Sequence, residues 1–145
     1  MKMVIQRVTS ADVLVDGESV GSIKKGYFVL LGVKEGDSIE DAKFLAEKLS
    51  KLRVMADKND KMNVDLENSG GEVLVVSQFT LFADTKKGNR PAFTKAAKPE
   101  LAEKLYKVFV ENLKDKGLTV ETGEFGAMMD IKTKLEGPVT IIIES

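Results

Sequence analysis

No cysteine, no histidine and no tryptophan occur among the 145 residues of this chain. Without cysteine there is no disulfide, no thiolate nucleophile and no Cys-ligated zinc or iron–sulfur centre. Without histidine the commonest metal ligand and the usual general base at neutral pH are both missing. Ser-His-Asp and Cys-His hydrolase mechanisms are excluded on composition alone. Neither sign of charge is in excess, since 22 Lys and Arg face 23 Asp and Glu for a formal net charge of −1. Nothing global therefore points to a polyanionic partner. Arginine is scarce and falls only at Arg7, Arg53 and Arg90. Long apolar runs are absent too. The longest, Tyr27 to Val33, is far short of the roughly 20 residues that cross a bilayer. The opening Met1-Lys2-Met3-Val4-Ile5-Gln6-Arg7 meets polar residues too early for a secretory signal, so the expected location is the cytoplasm, with no membrane association.

What is present suits one domain over residues 1–145. A chain of this length buries roughly 70% of its unfolded surface and needs no metal or disulfide staple. Met3–Val8, Val13–Asp16 and Ser19–Ile23 read as strands, with Asp16-Gly17 as a hairpin turn and Lys24-Lys25-Gly26 as a second turn. Tyr27–Val33 reads as a buried central strand. Ser38, with Asp41 three residues on, opens a helix that the spacing of Ile39, Ala42, Leu45, Ala46, Leu49 and Leu52 carries to about Arg53. Glu72–Phe82 predicts a strand that is apolar on both faces until its polar C-terminal half. Asp84–Lys98 is a loop, and Pro99 starts a second helix that Gly117 ends. Leu118–Thr122, Met128–Lys134 and Val139–Glu144 read as further strands, with Gly137-Pro138 at the last turn. The fold class is α+β, with a largely antiparallel, curled, barrel-like sheet and two main helices.

Three segments could carry chemistry. Ser77-Gln78-Phe79-Thr80 puts two hydroxyls and an amide at a strand end, where backbone N–H groups could also hold an oxyanion. The plainer reading is a set of satisfied polar residues. Thr80 becomes a nucleophile only if something takes its proton, and no base adjoins it in sequence. The alternative is a substrate that brings its own group, as an RNA 2′-hydroxyl beside an ester would. Gly137-Pro138 is either an ordinary tight turn or a device that aims main-chain carbonyls at a ligand. From Thr85 to Lys98 there are five cations, Lys86, Lys87, Arg90, Lys95 and Lys98, and no acidic residue. That run either neutralises phosphates of an RNA end or is a solvated loop.

Taken together, Ser77-Gln78-Phe79-Thr80-Leu81 and Gly137-Pro138-Val139-Thr140 resemble the signature pair of the D-aminoacyl-tRNA deacylases, also called D-tyrosyl-tRNA deacylases. Gln6-Arg7-Val8, Lys61-Met62-Asn63, Lys87-Gly88-Asn89-Arg90-Pro91 and Gly123-Glu124-Phe125-Gly126-Ala127-Met128 resemble family segments in the same order. The resemblance implies a homodimer that hydrolyses the ester joining a D-amino acid, or mischarged glycine, to tRNA, with no metal or other cofactor. It implies a cis Gly137-Pro138 bond that enters the partner's pocket and rejects L-amino acids. Arg7 would help hold that gate. Ser77, Gln78 and Thr80 would act on the ester, Phe79 and Met128 would line the pocket, and Lys86, Lys87 and Arg90 would contact tRNA. The resemblance leaves two routes, Thr80 as a nucleophile or catalysis assisted by the tRNA's own terminal 2′-hydroxyl, and the second is favoured because an unaided Thr hydroxyl is a poor nucleophile. Two positions depart from the family pattern: Leu135 replaces a usual Asn, and Met128 a usual Asp. Support for the Gly-Pro segment then falls to another residue such as Glu136. The alternatives are a non-catalytic nucleic-acid-binding module that uses the lysine-rich loop, and a dimeric scaffold.

Overall fold

The computed structural model describes residues 1–86 and 88–145, so the expectation for Lys87 lies outside the described residues. The first strand, β1 (Lys2–Val15), runs through without the break expected after Val8. Asp16 and Gly17 follow with φ of 50° and 84°, the pair of positive values that a two-residue turn matched to strand twist requires. They lead into β2 (Glu18–Ile23), and Lys24-Lys25 then turns the chain into β3 (Gly26–Gly32). β2 pairs antiparallel with the second half of β1, and β3 antiparallel with the first half.

The next elements depart from a largely antiparallel sheet. After β3 come α1 (Ile39–Ser50), a small hairpin of β4 (Met55–Ala56) and β5 (Met62–Val64), and the single turn α2 (Leu66–Ser69). They return the chain to β6 (Glu72–Ser77), which lies parallel to β3. A second crossover through α3 (Pro99–Asp115) brings β7 (Val120–Thr122) parallel to β6. The sheet is therefore mixed, because each helix is long enough to carry the chain back to the edge from which it started. The last strand, β8 (Asp130–Glu144), pairs antiparallel with β1 along almost its whole length. Where a turn at Gly137-Pro138 was expected between two strands, there is one strand with an interruption.

Two apolar clusters sit on the two faces of this sheet. Tyr27, Val29 and Leu31 of β3, with Val73 and Val75 of β6, face α1 and α3. Their alternates Phe28, Leu74 and Val76 face the inside of the curl, with Val8, Ala11, Val13 and Ile23. β6 is thus central, as its doubly apolar pattern predicts. The curl nearly closes where β2 passes β7. A Cβ on Gly21 would overlap the main-chain oxygen of Thr122, so only glycine permits that approach. The chain ends are tied as well. The α-ammonium of Met1 lies 2.7 Å from Asp37 Oδ1 and donates to Ser145 Oγ at 2.7 Å.

Ser38 caps α1 as expected. Its Oγ accepts from the Asp41 N–H, while the Asp41 carboxylate accepts from the Ser38 N–H at 2.8 Å. The Ser38 hydroxyl, and then the Ser38 backbone N–H, lower the Asp41 carboxyl from 3.8 to about 2. A carboxyl depressed in the folded state adds stability above its unfolded value and loses it as pH falls toward its folded value. Asp41→Asn should therefore lower the urea midpoint near pH 5, with the gap to the wild type closing as pH falls from about 4 to about 2. Urea titrations across that range check it, and a gap independent of pH would contradict it.

Candidate active site

The site begins where β6 stops. The N–H of Gln78 donates to the Leu31 carbonyl at 2.8 Å, which is the last bond along β3. Gln78 then leaves the strand (φ −143°, ψ 86°), and Phe79–Phe82 form a 3-10 turn. The expected strand through Phe82 is thus cut short at Ser77. The turn lies over Gly32, whose missing side chain makes room for Phe82, Leu81 and the carbonyl of Gln78. Hydrogen bonding inside the turn starts with Leu81 N–H to Gln78 O at 3.4 Å, so the N–H groups of Phe79 and Thr80 precede it.

This bend, and not strand alternation, brings Gln78 and Thr80 together. The Gln78 Nε2 donates to Thr80 Oγ1. An amide N–H cannot take a proton, so this bond orients the Thr80 hydroxyl without activating it. Ser77 is half-buried at the strand end, and Phe79 and Thr80 are exposed. The Phe79 ring meets Phe93 edge to face, with centroids 5.0 Å apart and planes at 70°.

Phe93 belongs to the cationic loop, and sequence reasoning did not single it out. The available signal was one aromatic inside a lysine-rich run. The loop is anchored by paired backbone bonds between Asp84 and Ala92 at 2.8 and 2.9 Å. The Asp84 carboxylate accepts from the Lys86 N–H at 3.0 Å and faces Lys95 Nζ at 3.7 Å. Lys86 and Arg90 are exposed and enter none of the ion pairs among the described residues. The phenyl pair therefore docks a cationic loop onto the Gln78–Thr80 turn.

Gly137 and Pro138 lie in a different place. Along β1 the β8 partner jumps from Thr140, opposite Gln6, to Leu135, opposite Val8. Residues 136–139 therefore stand against Arg7 alone. The Gly137-Pro138 bond is cis, and both residues are exposed. Gly137 has φ 124°, and a Cβ there would lie 2.8 Å from the Val139 nitrogen. Arg7 donates from Nη1 to the Val54 carbonyl at 2.8 Å, and its Nε lies 2.9 Å from Glu136 Oε2. Beside Arg7, Tyr27 donates to the Leu52 carbonyl at 3.0 Å. Burial pushes its hydroxyl up to about 12, so it stays a neutral donor.

Within one chain the two motifs do not meet. Ser77 pairs with Leu31, which pairs with Met3, whereas Arg7 pairs with Tyr27. The bulge is thus four residues along the ladder, roughly 13 Å, and three strands across, roughly 14 Å. Met128, expected in the pocket, is 91% exposed, while Met129 packs into the curl beside Gly123. A depression of about 460 Å³ on β1, β2 and β8, and one of about 400 Å³ near Arg53, include none of the expected site residues. Among the described residues no group of three acidic side chains is placed to hold a metal.

Comparison with known proteins bears on this arrangement. Residues 4–144 match the family described as D-Tyr-tRNA(Tyr) deacylase. A D-aminoacyl-tRNA deacylase of Bacillus licheniformis is 57% identical over 145 residues, covering 100% of this chain and 99% of that protein. One of Clostridioides difficile is 51% identical, covering 100% and 97%. Among solved structures, one titled c-Myc DNA Unwinding Element Binding Protein is 40% identical with a TM-score of 0.93, covering 100% of this chain and 99% of that one. A probable eukaryotic D-amino acid tRNA deacylase shares the fold at a TM-score of 0.86 and 15% identity, covering 99% and 98%.

Proposed function

The chain belongs to the D-Tyr-tRNA(Tyr) deacylase family, and we propose that its Gln78–Thr80 turn hydrolyses the ester between a D-amino acid and the 3′ end of tRNA. It is a hydrolase of D-aminoacyl-tRNA, the activity for which its relatives are named. The observation that carries the reading of the site is the turn itself. An oriented hydroxyl, two backbone N–H groups without a partner among the described residues and an exposed phenyl ring sit together beside a cationic loop.

Each part has a task in ester hydrolysis. The N–H groups of Phe79 and Thr80 are donors for the ester carbonyl as it gains negative charge. Thr80, held by Gln78, serves as a hydrogen-bond donor and not as a nucleophile, because its partner is an amide and no base adjoins it. The vicinal 2′-hydroxyl of the terminal ribose is the group best placed to assist the attacking water. Lys86, Lys87 and Arg90 neutralise phosphates of the acceptor end. The tRNA substrate makes the cytoplasm the place of action.

Stereochemical selection falls to Gly137 and Pro138, whose exposed main chain would face the α-carbon and reject an L side chain. Glycine has no side chain to reject and would pass the same test. Since the bulge cannot reach its own turn, the site is completed in a homodimer, with the partner's bulge beside Gln78–Thr80. The apolar surface left exposed at Phe79, Met128, Ile131, Leu135 and Ile142 agrees with such an assembly.

A second reading has one observation in its favour. The solved relative at 40% identity is titled for binding a DNA element, and the cationic loop would suit a binder without chemistry. Release of amino acid from D-tyrosyl-tRNA and L-tyrosyl-tRNA, measured in parallel, separates the two. The proposal expects rapid loss of the D ester only, and stability of both esters would favour the binder. Thr80→Ala should lower kcat/KM about ten- to a hundredfold, as loss of one hydrogen bond would. A loss beyond about ten-thousandfold would instead mark a covalent nucleophile. Lys86→Glu with Arg90→Glu should weaken tRNA binding and reduce the slope of log K against log salt by about 1.5. An unchanged slope would remove the loop from the interface.

A further inference from the structure

Glu136 stands at the foot of the Gly137-Pro138 bulge. Its carboxylate turns back along β1 to the one residue that faces the bulge, Arg7. The Arg7 side chain is 11% exposed and that of Glu136 31%. The two facing atoms, Arg7 Nε and Glu136 Oε2, are fully buried and have no hydrogen-bond partner among the described residues. They lie 2.9 Å apart as an ion pair. The far end of the guanidinium is fixed independently on the Val54 carbonyl, in the segment between α1 and β4. The other foot, Val139, packs on the helix-facing core.

We propose that Glu136 is a positioning residue for the Gly137-Pro138 tip, acting through the buried Arg7 guanidinium to set stereochemical selection of the ester. The inference rests on the reading of the tip given above. An ion pair of this kind has two physical consequences. Removing one charge leaves the other buried without a counter-charge, so the local cost is large. Four unpaired residues opposite one have no ladder bonds of their own, so their placement depends on the two feet. One foot is held by packing and the other by charge. Loosening the charged foot leaves the fold intact and displaces the tip. The tip's role is geometric, and misplacement by about 1 Å can cost about a hundredfold.

The test uses the full-length protein with Glu136→Gln and Glu136→Asp. Two quantities are read: the ratio of kcat/KM on D- and L-tyrosyl-tRNA, and amide hydrogen exchange over residues 135–140. Glu136→Gln should lower the D-over-L ratio about ten- to a hundredfold. It should also speed exchange at 135–140 while protection in β6 and α3 stays unchanged. Glu136→Asp, which keeps the charge on a shorter arm, should restore at least part of both. A ratio and an exchange pattern both unchanged in Glu136→Gln would overturn the proposal. So would faster exchange throughout the chain in both variants, which marks a general fold requirement. If the wild type released neither ester, the reading of the site would fail, and exchange at 135–140 would still decide whether Glu136 holds the bulge.

Discussion

The pairing of β1 with β8 governs the molecule. A fourteen-residue strand is hydrogen-bonded on one edge by β8 and on the other by β3 and then β2. Its buried side chains change sides along the way. Met3 and Ile5 point to the helix-facing core, and Val8, Ala11 and Val13 point into the curl. Ile5 and Val8 stand on opposite faces by ordinary alternation, and the phase changes between Val8 and Ala11, where Thr9 is an extra β1 residue between the Val8–Leu135 and Ser10–Lys134 pairs. A separate irregularity at Arg7, where β8 spends four residues against one, pushes Gly137 and Pro138 out into solvent. The change of face in β1 and the exposed tip thus come from two neighbouring pairing defects.

A second constraint acts at the other end of the sheet. The ladder of β6 against β3 closes with the Gln78 N–H on Leu31, and Gly32 leaves space for the chain to turn at once. The polar groups proposed for the chemistry thereby emerge from a strand with both faces buried. The phenyl contact between Phe79 and Phe93 then ties the turn to the cationic loop. A protein of net charge −1 can present a local positive surface because Asp84, the acidic residue beside the loop, spends its carboxylate inside it. The proposed chemistry needs no histidine. An ester with a neighbouring hydroxyl asks the protein for donors and alignment more than for a base.

Much of this was legible in the residues. The Asp16-Gly17 turn, the Ser38–Asp41 cap, the central character of β6 and both main helices follow from local rules that tertiary context left undisturbed. The segments proposed for chemistry stood out too, because polar groups at the end of an apolar strand and a Gly-Pro pair are conspicuous in sequence. What the residues hid is non-local. The parallel pairing of β3, β6 and β7 depends on where a crossover helix lands, which no local pattern records. The 3-10 turn at Phe79–Phe82 keeps the apolar alternation of a strand, and only the hydrogen bond to Leu31 and the space above Gly32 divert it. Gly137-Pro138 has the composition of a turn, and a bulge in a continuous strand uses the same residues. Met128 and Met129 show the limit most plainly. Adjacent and chemically identical, they differ in that one packs by Gly123 and the other stands in solvent.

The central claim is that the Gln78–Thr80 turn of one chain works with the Gly137-Pro138 tip of another. It is tested most directly by mixing two impaired proteins, one carrying Gln78→Ala and the other Pro138→Lys, after unfolding and refolding them together. A site shared between chains predicts that random pairing restores about a quarter of wild-type activity on D-tyrosyl-tRNA, because each mixed dimer holds one intact site. Activity no greater than the sum of the two separate variants would contradict it.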